Sequence, residues 1–287
     1  MSTAQIRKSA VLLLINSKNG KVLLGRRSSS ASFMPNTLVF PGGVVDQEDI
    51  NFSKSCLRNN SENITQVSGK IASVRELFEE CGLLPVIKDG KDKSSFNHFS
   101  SDCYSSDSAS TCLFKFTFFR CVLSASASPY LANTWLTPFD YPKRFDNTFY
   151  AMKVSDSPVP RSHKSELSEA KWMVPLETVE GAENGLYILP PPQAYELTRI
   201  IEAGRTGLQL EKIEIPTRIC PQLVNDKENQ IALLNGDQDY IEGERSTITP
   251  MRDISEIGPE INPRKLINRI IYKKKPLYSN IKICSSQ

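Results

Sequence analysis

Apolar and polar positions divide the chain into stretches of two periods. Residues 9–15 read as a β-strand, residues 17–20 (Ser-Lys-Asn-Gly) as a turn and residues 21–25 as a second strand, which together predict a hairpin. A turn at 33–36 leads into a short strand at 38–40, and Pro41-Gly42-Gly43 breaks it into a loop. The spacing then becomes helical. Ile71, Val74, Leu77, Phe78 and Cys81 form one apolar stripe, and Gly82 ends it. Residues 83–87, 131–136 and 148–154 read as strands, and residues 175–181 and 194–203 as helices. Residues 50–70 are rich in Ser and Asn and predict part helix, part loop. Residues 88–111 are polar and serine-rich, the composition of a lid, a recognition loop or plain disorder. Residues 113–123 are rich in phenylalanine and fit either a strand or a helix. Beyond Gly204, residues 213–287 suggest short strands joined by Asn-Gly and lysine-rich turns. Strands and helices alternate, which predicts an α/β/α arrangement.

The chemistry concentrates on the first helical stretch. Arg75-Glu76-Leu77-Phe78-Glu79-Glu80 sets carboxylates three and four residues apart, so that they point into one small volume. Carboxylates crowded in this way repel one another, and a hard divalent cation such as Mg2+ or Mn2+ removes the conflict. Glu76, Glu79 and Glu80 are therefore candidate metal ligands, and Arg75 stands where it can hold Glu79. A solvated helix face would show the same residues. The loop upstream shifts the balance, because its backbone at Gly42 and Gly43 can approach a ligand closely. Arg26-Arg27 at a strand end, and Lys143-Arg144 before another strand, suit phosphate oxygens as well as solvent. Glu166 and Glu169 lie six and three residues before Trp172 and, read by themselves, fit surface charges beside an edge strand.

Composition removes several other classes. A chain of 287 residues, 39% apolar, can bury a full core as one large domain or one domain with an extension. A net charge of +3 does not suggest a nucleic-acid partner. No apolar stretch approaches the ~20 residues of a membrane span, and the first eight residues are too short and polar for a secretory signal. The two histidines, His98 and His163, lie in polar stretches and argue against a His-based metal site or a Ser-His-Asp triad. Seven cysteines without a CxxC pair fit free thiols in a reducing, intracellular compartment.

The run Arg75 to Leu83, with its glycine loop upstream, resembles the box of the Nudix hydrolases, matched at every fixed position of its second half. The first half departs. Asp49 stands where the family has Glu, and the segment between Asp49 and Arg75 is eighteen residues longer than usual. Asp49 is expected to pair with Arg75 more weakly than a glutamate. Shortening residues 52–68 is expected to spare folding more than substrate preference. Further strings, among them Gly25-Arg26-Arg27-Ser28, Phe33-Met34-Pro35, Arg144-Phe145-Asp146 and Leu189-Pro190-Pro191-Pro192-Gln193, are similar to animal coenzyme A diphosphatases of the motif-nineteen type.

The resemblance implies a Nudix α/β/α sandwich with a mixed sheet over residues 1–212, and an extension over 213–287 packed on or beside it. It implies Mg2+ or Mn2+ on Glu76, Glu79 and Glu80, and a pyrophosphate over Gly42 and Gly43. Arg75 orients the helix acids, and Glu79, Glu166 and Glu169 are the candidates for the general base. Arg26, Arg27 and Arg144 are candidate substrate contacts. The implied reaction is hydrolysis of coenzyme A or acyl-CoA to 3′,5′-ADP and (acyl-)phosphopantetheine. Nucleotide sugars, dinucleotides or capped RNA are alternative substrates, and a non-catalytic Nudix-fold binding module is a further alternative. Such relatives act in peroxisomes or mitochondria. The ending Cys284-Ser285-Ser286-Gln287 is not of the SKL type, which leaves the cytosol open.

Overall fold

In the computed structural model, which describes residues 5–57, 64–87, 94–98, 128–162, 166–207, 218–257 and 266–285, the hairpin forms with Ile15 opposite Val22. Its strands are β1 (Ile6–Asn16) and β2 (Val22–Arg27). Asn16 builds the turn: its side-chain oxygen accepts from the amides of Lys18 and Asn19, and Gly20 takes a φ of 69° that a side chain would resist. β3 (Leu38–Val39) pairs with β2, and β4 (Gly42–Val44) with β1. The helices α1 (Gln47–Cys56) and α2 (Ile64–Cys81) follow. Next come β5 (Leu83–Ile87) and β6 (Ser94–His98), paired with each other, then β7 (Tyr130–Leu136), β8 (Arg144–Val154) and β9 (Leu167–Met173). The main sheet runs β3-β2-β1-β8-β7, with β4 added on β1 and β9 on β2.

The chain divides into two units. The first covers residues 8–132 and 148–174, and the second residues 1–7, 133–147 and 175–287. In the first unit α2 lays its apolar stripe on the sheet: Val67, Ile71, Val74, Leu77 and Phe78 share one core with Leu12, Leu14, Leu23, Tyr150 and Met152. Burial of each such side chain contributes roughly 1.5–3 kcal/mol, which fixes the helix that carries the carboxylates.

The inserted segment behaves differently from expectation. α2 begins at Ile64, so its first turns come from inserted residues, and α1 supplies much of the rest. Ser53, Val67, Ser68 and Lys70 are buried. Tyr150 donates its hydroxyl to Gln66 O at 3.0 Å and fills the space a side chain at Gly69 would need. Among its described residues the insertion thus contributes Ser53 and the buried start of α2 to the core, and removing 52–68 would take away part of α2's first turns. The apolar stripe hides this because Ser68, Gly69 and Lys70 interrupt it, although all three are buried. Of the polar stretch 88–112, residues 94–98 form β6; its remainder and residues 113–123 lie outside the described residues.

The second unit holds α3 (Pro175–Glu183) and α4 (Pro191–Thr206), whose first-turn proline and Gly207 at φ 70° suit the two ends of a helix. Its sheet is built from β10 (Gln222–Asn225), β11 (Asn229–Leu233), β12 (Arg252–Asp253), β13 (Asn268–Lys274) and β14 (Leu277–Ser285), in the order β12-β10-β11-β13-β14. Buried Arg269 fixes the loop after β11 through bonds of 2.8–3.0 Å to Asp237 and Asp239. The lysine run closes a turn: Lys273 pairs with Glu228 at 2.8 Å, and Lys274 donates to the Asp226 carbonyl.

Candidate active site

α2 carries its acids against Gly42 and Gly43, which were expected in a loop but pair with β1 as strand β4. Glu80 is buried, and its Oε2 accepts the Gly42 amide at 3.1 Å. A Cβ on Gly43 would overlap the Glu76 carboxylate, and one on Gly42 would fall 2.6 Å from the Ala10 carbonyl and 2.8 Å from Val11 Cα. Both glycines are thus demanded by packing: Gly42 lets β4 lie on β1, and Gly43 leaves room for Glu76.

Arg75 organises the acidic face. It donates to both oxygens of Asp49 at 3.0 Å, to Glu76 at 2.9 Å, to Glu79 at 2.8 Å and to the Val44 carbonyl at 3.0 Å. Asp49 is only 3% exposed and also accepts the Asp46 amide at 2.9 Å, closing the start of α1. The expectation of a weak pair is corrected. α1 brings the shorter acid to the guanidinium, so a bidentate, charge-assisted contact forms. Burial alone would lower the pKa of Arg75, but Asp49, Glu76 and Glu79 outweigh it and hold it above its usual value.

With Glu79 tied to Arg75, a different acid completes the cluster. Carboxylate oxygens of Glu76, Glu80 and Glu166 lie within 4.8 Å of one another. Glu166 sits at the entry to β9, where its carbonyl accepts the Ser28 amide at 2.9 Å. Glu169 lies opposite Arg26 on β2, and its carboxylate pairs with Lys171 at 3.4 Å. Arg27 donates to the Phe33 carbonyl at 3.0 Å, and its charge acts on Glu80. Arg26 makes a long contact of 3.5 Å to the Asn36 carbonyl. Arg144 belongs to the second unit. It is buried there, donates to the carbonyls of Thr137 at 3.0 Å and Thr247 at 2.9 Å, and stacks over Phe139. Sequence reasoning missed Asp46 and Ser28, which touch the site through backbone amides. The Asp46 amide meets Asp49 three residues on, a capping pattern present in the sequence, whereas the Ser28 amide meets Glu166 far along the chain, which no local pattern marks.

Burial pushes the Glu80 carboxyl up to about 8; the charges of Glu76 and Glu166 add to this, while the Gly42 amide and Arg27 oppose it. Burial likewise raises Glu76 to about 7, against Arg75 and with Glu79 and Glu166. Three converging carboxylates, two of them strained in the ionised form, fit a hard divalent cation with oxygen ligands. Both pKa values lie above the ordinary 4.5. Their stabilising contribution is therefore full below about pH 4.5 and is lost as the pH rises through about 7 to 8. The metal-free melting temperature is expected to fall between about pH 5 and pH 8.5, and Mn2+ to restore it at the upper end with release of protons. Thermal melts, with calorimetry in two buffers of different ionisation enthalpy, check this; a flat profile without proton release would reject it.

Residues 52–200 match the family model of the NUDT19 Nudix domain. Over 284 residues the chain is 34% identical to a putative nudix hydrolase 7 of Caenorhabditis elegans, across 98% of this chain and 90% of that protein. The chain belongs to the Nudix hydrolase family. It is an enzyme, a hydrolase of phosphoric anhydrides. This Nudix hydrolase is also similar to the acyl-coenzyme A diphosphatase NUDT19 of Xenopus laevis, 26% identical across 93% of this chain and 86% of that protein. The human protein of the same name is 24% identical across 90% and 82%. A solved NUDIX hydrolase from Alicyclobacillus acidocaldarius has a TM-score of 0.61 at 23% identity, covering 75% of this chain and 100% of that one. That likeness is one of fold and agrees with the expected Nudix α/β class. No helix of the described residues is long and apolar enough to cross a membrane.

Proposed function

We propose that this Nudix hydrolase is a divalent-metal-dependent diphosphatase that cleaves coenzyme A or acyl-CoA to 3′,5′-ADP and (acyl-)phosphopantetheine. The observation that carries the metal-dependent reading is the convergence of Glu76, Glu80 and Glu166 beside Gly42 and Gly43. The names of the Xenopus and human relatives favour the substrate.

Glu76, Glu80 and Glu166 would hold Mg2+ or Mn2+. A cation bound there supplies charge neutralisation to the pyrophosphate oxygens. The chain's own residues do the positioning on which phosphoryl chemistry depends. Gly42 and Gly43 let β4 lie on β1 and leave room for the Glu76 carboxylate, which holds the acids together where the pyrophosphate would bind. Arg75 orients Glu79 at 2.8 Å, and Glu79 takes the proton of the attacking water. The water oxygen bonds to one phosphorus, and the anhydride bond to the other phosphate breaks in line. Arg26 and Arg27 pair with phosphate oxygens.

Product analysis of the purified protein with CoA, ADP-ribose and diadenosine polyphosphates, with and without Mg2+ or Mn2+, tests the reading. The expected result is metal-dependent release of 3′,5′-ADP from CoA in preference to cleavage of the others. Preference for ADP-ribose or dinucleotides overturns the substrate, and equal rates in chelator overturn the metal. Arg26→Ala and Arg27→Ala divide the phosphate contacts further. A larger loss on CoA than on dephospho-CoA places that arginine at the 3′-phosphate, and an equal loss places it at the pyrophosphate.

A further inference from the structure

The strand that follows Glu166, which converges with Glu76 and Glu80, breaks its register against β2. From Met173 back to Glu169 the two strands pair one to one, with Glu169 opposite Arg26; the next residue of β2, Arg27, lies opposite Leu167. Ser168 is the extra residue of a β-bulge, and its hydroxyl donates to the Arg26 carbonyl at 3.2 Å. The bulge also reverses the alternation of the strand. Two residues apart, Glu169 and Leu167 would share a face in a regular strand, yet Glu169 is exposed and Leu167 fully buried.

Leu167 is seated in a space that exists because residue 25 is glycine. A Cβ at that position would overlap a Leu167 methyl and fall 3.1 Å from its Cγ. Leu167 cannot swing away cheaply, since it is packed in the same core as Leu23, Leu77 and Phe78. One step further, the Ser28 amide fixes the Glu166 carbonyl at 2.9 Å. The glutamate next to this seated leucine is the one whose carboxylate joins the cluster.

We propose that the Ser168 bulge, locked by Leu167 in the space at Gly25, is the device that positions Glu166 for metal binding. Gly25 and Leu167 are positioning residues that touch neither substrate nor cation. The inference rests on the proposed role of Glu166 as third carboxylate ligand.

The test is Mn2+ affinity by calorimetry, with the metal-free melting temperature, for Gly25→Ala, Leu167→Ala, the double variant and Glu166→Gln. Overfilling the space or emptying it is expected to weaken Mn2+ binding by roughly 10–100-fold, as loss of a supporting contact behind a ligand does. The double variant, which exchanges volume across the contact, is expected to recover most of that affinity. A purely structural role would lower the melting temperature of each single variant and leave the affinity of the folded protein unchanged, which overturns the proposal. If Gly25→Ala does not fold, Leu167→Ala against the double variant still reads the coupling: tighter binding by the double variant supports the proposal, and equal binding overturns it. Wild-type affinity in Glu166→Gln overturns the ligand assignment itself, a result separable from failure of the Gly25–Leu167 contact.

Discussion

Glu80→Gln is expected to lower kcat by about 10³-fold, equivalent to about 4 kcal/mol of transition-state stabilisation, while the protein stays folded. Glutamine keeps the volume and an oxygen that can accept the Gly42 amide now held at 3.1 Å. It removes the charge that the cluster with Glu76 and Glu166 needs for a cation. The sign of the stability change separates this role from a structural one. The folded-state pKa of Glu80 is raised to about 8, so its ionisation works against the metal-free fold as the pH rises. At about pH 8.5 without metal, Glu80→Gln should therefore melt at or above the wild-type temperature; near pH 5 the two should nearly coincide. Melting curves and metal-dependent pyrophosphate hydrolysis, measured side by side, check both halves. Full activity in Glu80→Gln would sink the assignment of this helix to catalysis.

Arg75→Ala is expected to destabilise the protein by roughly 3–5 kcal/mol, the cost of breaking a buried ion pair from one side. Asp49 is 3% exposed and has its two carboxylate oxygens on this guanidinium, so the substitution strands a buried charge. The same change frees Glu79 and uncouples α2 from the Val44 carbonyl, so activity should fall with stability. Arg75→Lys recovers little, because a point charge cannot reproduce the fork that reaches Asp49, Glu76, Glu79 and Val44 together. Urea denaturation gives the stability change. A loss below about 1 kcal/mol would show that the pair behaves as an exposed one.

The sequence alone determined much of the local architecture. The hairpin, the strand breaking at Pro41, and the helix ending at Gly82 were legible because each is set by near neighbours: a turn composition, a glycine pair, a 3.6-residue stripe. The crowding of Glu76, Glu79 and Glu80 was legible for the same reason, since helix geometry fixes which side chains share a face. Only the tertiary structure decided how those acids divide. Arg75 draws Glu79 toward Asp49, and a strand from the far end of the unit brings Glu166 in its place. It also decided that Ser53 and residues 67–70 of the insertion are buried, with Tyr150 of β8 filling the space beside Gly69, which no pattern in their own stretch shows. The bulge at Ser168 is of this kind too. A one-residue slip between two strands leaves no mark in the composition of either, because register is settled by what the opposing strand offers at each position.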